Sequence, residues 1–327
     1  MIQDKASEIL TDAMTKEGHD IYFIPHQEGY DVYFREGDRR LFFEHLDKEL
    51  GQAIISHFKF LAGMNTGEKR RTQLGACWYS LDIGVKRLRM STVGDFEGRE
   101  SLVIRILREE SRKLEFWFRD EELLASLHCK RGLYLFAGPV GSGKTSLMVE
   151  LAKKNFMNKQ VITIEDPVEI VESDFVQLQV NEVIGNDYDE LIKCSLRHRP
   201  DLLIVGEIRD KKTARAVLRA SLTGYTVFST VHARSISGVW NRLLELGLSE
   251  WELKNSLRRV IYQRLIAGKG VVDIAESEFE KWNARRWNEK MARLFEDGYL
   301  TAIEVEAEKV EFDKTSKIDS VDGKSDC

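Results

Sequence analysis

The stretch Gly138-Pro-Val-Gly-Ser-Gly-Lys-Thr145 decides how this chain folds, because it predicts a strand before it and a helix after it. The apolar run 133–137 precedes this GxxxxGK[ST] pattern, and the helix-forming stretch 144–155 follows it. Glycines let the backbone curl so that its N–H groups point at phosphate oxygens, and a helix N-terminus adds partial positive charge. A chance glycine-rich turn would not need both flanking elements. The predicted phosphate-binding residues are Gly138, Pro139, Val140, Gly141, Ser142, Gly143, Lys144 and Thr145.

Around this loop, apolar runs without polar alternation recur along the chain. They lie at 133–137, 161–164, 202–205 and 227–230. Strands buried on both faces have this pattern, so we predict a parallel sheet covered by helices, spanning 119–270. Beyond Gly270 the pattern becomes amphipathic and predicts a helical segment, 271–312. The polar tail, 313–327, is predicted to be disordered.

Residues 1–107 have a different pattern, which predicts a smaller α+β domain joined to the rest by a charged linker, 108–118. One helix is expected near the start, since Ile2, Ala6, Ile9, Leu10 and Ala13 fall on one face. The remaining predicted elements are strands at 21–24, 30–34, 87–91 and 102–107 and a helix at 50–64.

Acidic residues and a histidine follow three of the apolar runs. Glu207 ends the run 202–205, which is the Walker B arrangement, and it is the candidate for orienting or deprotonating an attacking water. Glu165 ends another run and is a candidate for holding magnesium or its waters, although a structural role is equally consistent with the pattern. His232 follows the run 227–230, where structural and functional roles are again both open.

Lys144 is expected to reach the β- and γ-phosphates of ATP, and the Thr145 hydroxyl to ligate Mg²⁺. Glu165 and Glu207 would contact that metal directly or through water. These carboxylates turn a predicted nucleotide site into a predicted ATP hydrolase.

Composition limits the other classes of function. The chain has 327 residues, 43% apolar and 31% charged, which is typical of a globular protein. A net charge of −5 provides no broad electrostatic reason to bind nucleic acid or anionic membranes. The four cysteines are far apart, so neither a disulfide framework nor a zinc site is expected. With no signal peptide or apolar span of about 20 residues, the expected location is the cytoplasm.

In order and spacing, these segments resemble the secretion ATPase superfamily that powers type II secretion and type IV pilus assembly. Its boxes match here as Walker A (138–145), Asp box (163–169), Walker B (201–210) and His box (223–232). The triplet Gln263-Arg264-Leu265 is similar to a QRL element of the family.

The N-terminal residues extend the resemblance, which covers roughly residues 18–265. Five N-terminal segments of this chain are similar to segments of the family. They are His19-Asp20-Ile21-Tyr-Phe-Ile-Pro25, Phe58-Lys59-Phe-Leu-Ala-Gly-Met64, Glu68-Lys-Arg-Arg71, Arg89-Met-Ser-Thr92 and Leu102-Val-Ile-Arg-Ile-Leu107. Within the superfamily, the nearest branch is that of the competence ATPases of Gram-positive bacteria. The shared details are the short length, Leu196-Arg-His-Arg-Pro-Asp201, Phe228-Ser-Thr-Val-His-Ala233 and Gly238-Val-Trp-Asn-Arg-Leu-Leu-Glu-Leu-Gly247.

The resemblance implies an α/β fold, with a C-terminal RecA-like P-loop ATPase domain and the smaller N-terminal domain. It also implies a hexamer that binds ATP between the two domains, with Arg197 and Arg89 reaching the phosphates. Two positions depart from the family, since Lys193 and Ala76 stand where arginines are usual. The implied partners are a polytopic inner-membrane platform protein and, indirectly, pilins, which would place the chain on the cytoplasmic face of the membrane.

The predicted function is therefore an ATPase motor that assembles a competence pseudopilus for DNA uptake. A RecA-like DNA translocase or helicase is the first alternative, although the acidic balance and the secretion-type boxes disfavour it. A pilus retraction ATPase and a non-catalytic nucleotide-binding scaffold are the others. Direct contact with nucleic acid is not expected.

Overall fold

The computed structural model describes residues 2–16, 18, 20–36, 39–107, 114–181 and 184–310. The chain divides into two compact units, Met1–Ser111 and Arg112–Cys327. The predicted linker, 108–118, spans this division, but residues 108–113 lie outside the described ranges. The tail predicted to be disordered, 313–327, and His19 of the first family-like segment also lie outside them.

The first unit is a six-stranded antiparallel sheet with two helices, in the order β3-β2-β1-β6-β5-β4. Its elements are α1 (Ile2–Thr15), β1 (Asp20–Pro25), β2 (Gly29–Glu36), β3 (Arg39–Asp47), α2 (Lys48–Leu61), β4 (Gln73–Leu81), β5 (Gly84–Gly94) and β6 (Glu100–Leu107).

The core of this unit lies between the helices and one face of the sheet. Ala6, Ile9, Leu10 and Ala13 of α1 are fully buried, as the helical spacing predicts, whereas Ile2 is exposed. A buried ion pair joins helix to sheet, because the Lys59 ammonium on α2 lies 2.5 Å from a Glu100 carboxylate oxygen on β6.

The second unit contains a seven-stranded sheet in the order β13-β12-β7-β11-β10-β8-β9, in which only the β12–β13 pair is antiparallel. Its strands are β7 (Gly132–Ala137), β8 (Val161–Glu165), β9 (Phe175–Gln179), β10 (Leu202–Glu207), β11 (Thr226–Val231), β12 (Leu257–Ile266) and β13 (Lys269–Ala275). Its helices are α3 (Asp120–Ala125), α4 (Lys144–Asn155), α5 (Tyr188–Arg197), α6 (Lys211–Leu222), α7 (Ile236–Glu245), α8 (Glu250–Ser256), α9 (Arg285–Glu296) and α10 (Ala302–Glu308).

Two apolar clusters pack against the seven-stranded sheet, and β7, β8 and β11 are buried along their whole length. This pattern confirms the sheet of buried parallel strands that the apolar runs predicted.

The prediction of a helical segment from residue 271 onward is wrong at its start, because β13 extends to Ala275. A two-residue turn, Ala267-Gly268, joins β12 to β13. Both turn residues have positive φ, 47° and 78°, which is the conformation of a tight hairpin turn. Val271 and Val272 are buried as residues of a hairpin strand rather than of a helix.

Cys77, Cys129 and Cys194 are unpaired, and Cys327 lies outside the described ranges. Burial raises the pKa of the Cys77 and Cys129 thiols to about 11. Within the residues that the structure describes, the helices are too short or too polar to cross a bilayer.

Candidate active site

The phosphate loop, residues 138–145, leaves the end of buried strand β7 and runs into α4. Gly138, Gly141 and Gly143 have φ values of 147°, 76° and 82°, which residues with a side chain rarely adopt. A Cβ on Gly138 would also lie 2.3 Å from the backbone oxygen of Gln263 on β12. The glycine spacing of the motif therefore follows from the backbone conformation and from the close approach of β12.

Helix α4 begins at Lys144, and no side chain caps its N-terminus. The first N–H groups of a helix have no partner inside the helix, so an uncapped end is suited to bind an anion. Thr145 lies half-buried in the first turn. This end of α4 can therefore take phosphate oxygens on its backbone.

Lys144 is only 7% exposed, and its ammonium donates a hydrogen bond to the backbone oxygen of Pro139 at 2.6 Å. Burial lowers the pKa of Lys144, and the negative charges of Glu207 and Glu169 oppose that shift. The cation is thus held in the loop by a carbonyl rather than by a carboxylate, which leaves its charge available for a phosphate.

Glu165 lies at the end of β8 and is almost fully buried. One carboxylate oxygen accepts hydrogen bonds from the Thr163 hydroxyl at 2.7 Å and from the Gln177 amide at 3.2 Å. The backbone N–H of Glu169 lies 3.4 Å from the other oxygen. Burial raises the pKa of Glu165, so this carboxyl is held by neutral donors in a setting that disfavours its charge.

Glu207 ends β10, and a different side chain contacts each of its carboxylate oxygens. The Arg209 Nε donates to Oε2 at 2.8 Å, and the His232 Nε2 lies 3.2 Å from Oε1. The other His232 nitrogen, Nδ1, lies 3.3 Å from the backbone oxygen of Gly138. His232 thus links the Walker B strand to the phosphate loop.

These groups lie at one edge of the sheet because the strands that carry them are parallel neighbours, in the order β8-β10-β11-β7. Glu165, Glu207, His232 and Gly138 are at or directly after the carboxyl ends of those strands. Ligands of open α/β sheets bind at this edge.

Arg197 is not at this edge. It is exposed in the last turn of α5, from which the chain reaches the start of β10. There the N–H of Asp201 donates to the backbone oxygen of Gln160, the residue before β8. Arg197 therefore lies toward the amino-terminal edge of the sheet, away from the phosphate loop of its own chain.

Arg89 belongs to the first unit, where it is half-buried on β5. Its cross-strand neighbours are Ala76 on β4 and Arg105 on β6, so one position that departs from the family is opposite this arginine. The other, Lys193, pairs with Asp189 and Glu190 on α5, at 2.8 Å each. The roles predicted for Arg89 and Arg197 stay predictions.

The sequence assigned no role to three residues that lie beside the acidic side chains of the site. They are Arg209, Gln177 and Tyr188. Arg209 binds Glu207 and lies 3.6 Å from Asp166, and Gln177 binds Glu165. Burial and the negative charge of Asp166 raise the pKa of the Tyr188 phenol. Arg209 could have been found from its place two residues after Glu207, whereas nothing in the sequence marks Tyr188 or Gln177.

The residues present fit a nucleotide carried with Mg²⁺. The loop has room only for glycine at Gly138, where a Cβ would be 2.6 Å from the Ser142 hydroxyl. Within the described ranges, no three His, Cys, Asp or Glu side chains form a preformed metal cluster. Mg²⁺ usually takes one or two carboxylates together with substrate phosphates, so Thr145, Glu165 and Glu207 suit a metal that arrives with the nucleotide.

A phosphate loop on a mostly parallel sheet, with carboxylates at the neighbouring strand ends, defines a P-loop ATPase of the RecA-like type. The chain belongs to the type II/IV secretion system protein family, whose model matches residues 1–304. The resemblance and the fold class predicted from the sequence are both confirmed.

Two relatives have a name that points to one branch of this family. The competence protein ComGA of Streptococcus pneumoniae is 56% identical over 312 residues, covering 95% of this chain and 100% of the relative. ComGA of Bacillus subtilis is 37% identical over 273 residues, covering 81% of this chain and 76% of the relative. Among solved structures, that of the pilus retraction motor PilT with bound ADP superposes with a TM-score of 0.74 at 23% identity, over 93% of this chain and 97% of that one. This likeness shows the fold.

Proposed function

We propose that this chain hydrolyses ATP to drive assembly of a competence pseudopilus, the fibre used for DNA uptake in transformation. The observation that carries the proposal is the single sheet edge at which the phosphate loop, Glu165, Glu207 and His232 meet. The two relatives named as competence proteins support the biological role.

In the proposed reaction, water attacks the γ-phosphorus of ATP, the bond to the β–γ bridging oxygen breaks, and ADP and phosphate leave. Lys144 turns from the Pro139 carbonyl to the β- and γ-phosphates. Glu207 orients the water and accepts its proton. Arg209 and His232 fix the plane of the Glu207 carboxylate, and each of its oxygens keeps a second lone pair for the water.

Mg²⁺, when bound, neutralises negative charge on the phosphates. Thr145, Glu165 and Glu207 would hold it, directly or through water. Thr163 and Gln177 keep the buried Glu165 carboxyl oriented toward the edge of the sheet.

The assembled state is proposed from the family resemblance. A hexamer would work at the cytoplasmic face of the membrane, bound to a polytopic platform protein and acting on pilins through it. The exposed position of Arg197, away from its own phosphate loop, is compatible with a contact to the nucleotide of a neighbouring subunit.

The experiment compares Glu207→Gln with Glu289→Gln, a matched change on the exposed face of α9, where Glu289 pairs with Arg285. Loss of a general base should lower phosphate release about 10²-fold or more, and the strain should lose transformation and pseudopili. Glu289→Gln should behave as wild type. A Glu207→Gln strain that transforms normally would exclude the assigned role, and DNA-stimulated, strongly salt-dependent ATPase activity would favour a translocase.

A further inference from the structure

Gln263 on β12 is 1% exposed, and neither its amide oxygen nor its amide nitrogen has a hydrogen-bond partner. The nitrogen lies 2.8 Å from the position that a Cβ on Gly143 would occupy. The backbone oxygen of the same residue lies against Gly138, as described above. Gln263 therefore lies against the phosphate loop at two places, with its backbone oxygen near Gly138 and its amide nitrogen near Gly143.

A second buried polar group in the loop is also without a partner. The Ser142 side chain is 3% exposed, and its hydroxyl makes no hydrogen bond. Both this hydroxyl and the Gln263 backbone oxygen lie within 2.6 Å of one point, the Cβ position of Gly138. The unpaired Ser142 hydroxyl and the backbone of Gln263 thus both lie against Gly138, while the unpaired Gln263 amide lies against Gly143.

Unpaired buried polar groups are rare and costly, so this arrangement marks a conformation whose hydrogen bonds are completed in another state. The loop has a reason to change, because Lys144 must leave the Pro139 oxygen to reach a phosphate. The strand beneath is anchored from its other face, where Arg264 bonds to Glu308 and the Tyr262 ring packs on Trp287. The change is therefore expected in the loop.

We propose that Gln263 is a positioning residue that senses occupancy of the phosphate loop. Its amide, which has no partner in this conformation of the loop, bonds to the Ser142 hydroxyl when nucleotide is bound and so holds the loop in its binding form. The inference rests on the proposed function, since it requires that the loop binds nucleotide.

The test uses thermal unfolding of the full chain with and without Mg²⁺ and ADP, for the wild type, Gln263→Met and Gln177→Met. Gln177 is the matched control, because its amide accepts from the Glu172 N–H and donates to Glu165 and Ile170. Without nucleotide, Gln263→Met should raise the Tm and Gln177→Met should lower it. In direct titration, Gln263→Met should bind ADP about tenfold more weakly, the effect of one lost hydrogen bond.

A merely structural glutamine would behave in the opposite way, with a lower Tm without nucleotide and an unchanged affinity for ADP, and that result would overturn the proposal. Ser142→Ala provides a second route if Gln263→Met does not fold. It should weaken ADP binding similarly. Where Gln263→Met does fold, the double variant should bind ADP no more weakly than either single variant. Additive losses would exclude the bond between the two side chains. If the wild type itself shows no response to ADP, the proposed function fails first.

Discussion

Lys144 in the phosphate loop and Lys290 on α9 are equally buried, at 7% exposure each, yet they are held in different ways. The Lys290 ammonium donates to both carboxylate oxygens of Asp120, at 2.6 and 2.8 Å, and to the Val272 backbone oxygen at 2.7 Å. The Lys144 ammonium has the Pro139 carbonyl instead. Burial lowers the pKa of both lysines, and for Lys290 the hydrogen bond that it donates to Asp120 opposes the shift most.

The different partners of the two lysines indicate a structural role for Lys290 and a phosphate-binding role for Lys144. All three N–H donors of Lys290 are used, so the ion pair fastens α3, β13 and α9 together. Lys144 keeps a buried charge whose cost the charges of Glu207 and Glu169 offset only in part, so an incoming anion would offset more of it. Matched substitutions of the two lysines should therefore separate function from stability.

The largest effect is expected for Lys144→Met, which keeps the aliphatic stem and removes the charge. Phosphate release should fall about 10³-fold, because an electrostatic contact to the phosphates is lost. The free energy of unfolding should be unchanged or higher, since a buried charge that is only partly compensated is gone. Phosphate release and urea denaturation measure the two. A variant that is both inactive and clearly less stable would contradict the comparison.

Lys290→Met should show the reverse. It leaves the Asp120 carboxylate buried without its cation, and breaking such a pair costs about 3–5 kcal/mol of stability. At temperatures where the variant stays folded, phosphate release should match the wild type. Because Asp120→Asn removes the unpaired charge, the double variant Asp120→Asn, Lys290→Met should regain part of the stability in urea. A Lys290→Met protein as stable as the wild type would show that this pair fastens nothing.

The sequence predicted β7, β8, β10 and β11 of the second unit, but it predicted neither β12 nor the edge strands of either sheet. Strands 133–137 and 202–205 are buried on both faces, so their apolar runs are unmistakable. β3 buries only Leu46, and a register shift in its pairing with β2 disturbs its alternation. Edge strands are more exposed and often carry charged side chains, as β3 does at Arg39 and Arg40, so they lack the apolar run that marks a central strand.

For the site, the chain order of the motifs was enough to bring Glu165 and Glu207 to one edge, because parallel strands end together. The contact of Glu207 with His232 depends on the register of side chains across two strands, which no local pattern contains. Arg197 shows the same limit, since its role depends on which edge of the sheet the end of α5 reaches.

A smaller effect is expected at Glu165, where the buried charge is negative. Burial raises its pKa above the ordinary 4.5, so the folded state holds the proton more tightly than the unfolded chain does. The stability that comes from this proton is present below pH 4.5 and is lost as the pH rises through the folded-state pKa. Above that pH, the wild type carries the cost of a buried carboxylate.

Glu165→Gln removes this titration and keeps the oxygen that accepts from Thr163 and Gln177, losing only the 3.4 Å contact with the Glu169 N–H. The Tm difference between the variant and the wild type should therefore grow in favour of the variant as the pH rises from 4.5 to 8. Phosphate release should fall in the same variant, because a carboxylate at the proposed metal position is gone. Differential scanning calorimetry across this pH range provides the measurement, with Glu289→Gln as the exposed control. A Tm difference that does not change with pH would mean that Glu165 carries no buried charge. The contrast between the site and the Asp120–Lys290 ion pair would then apply to Lys144 alone.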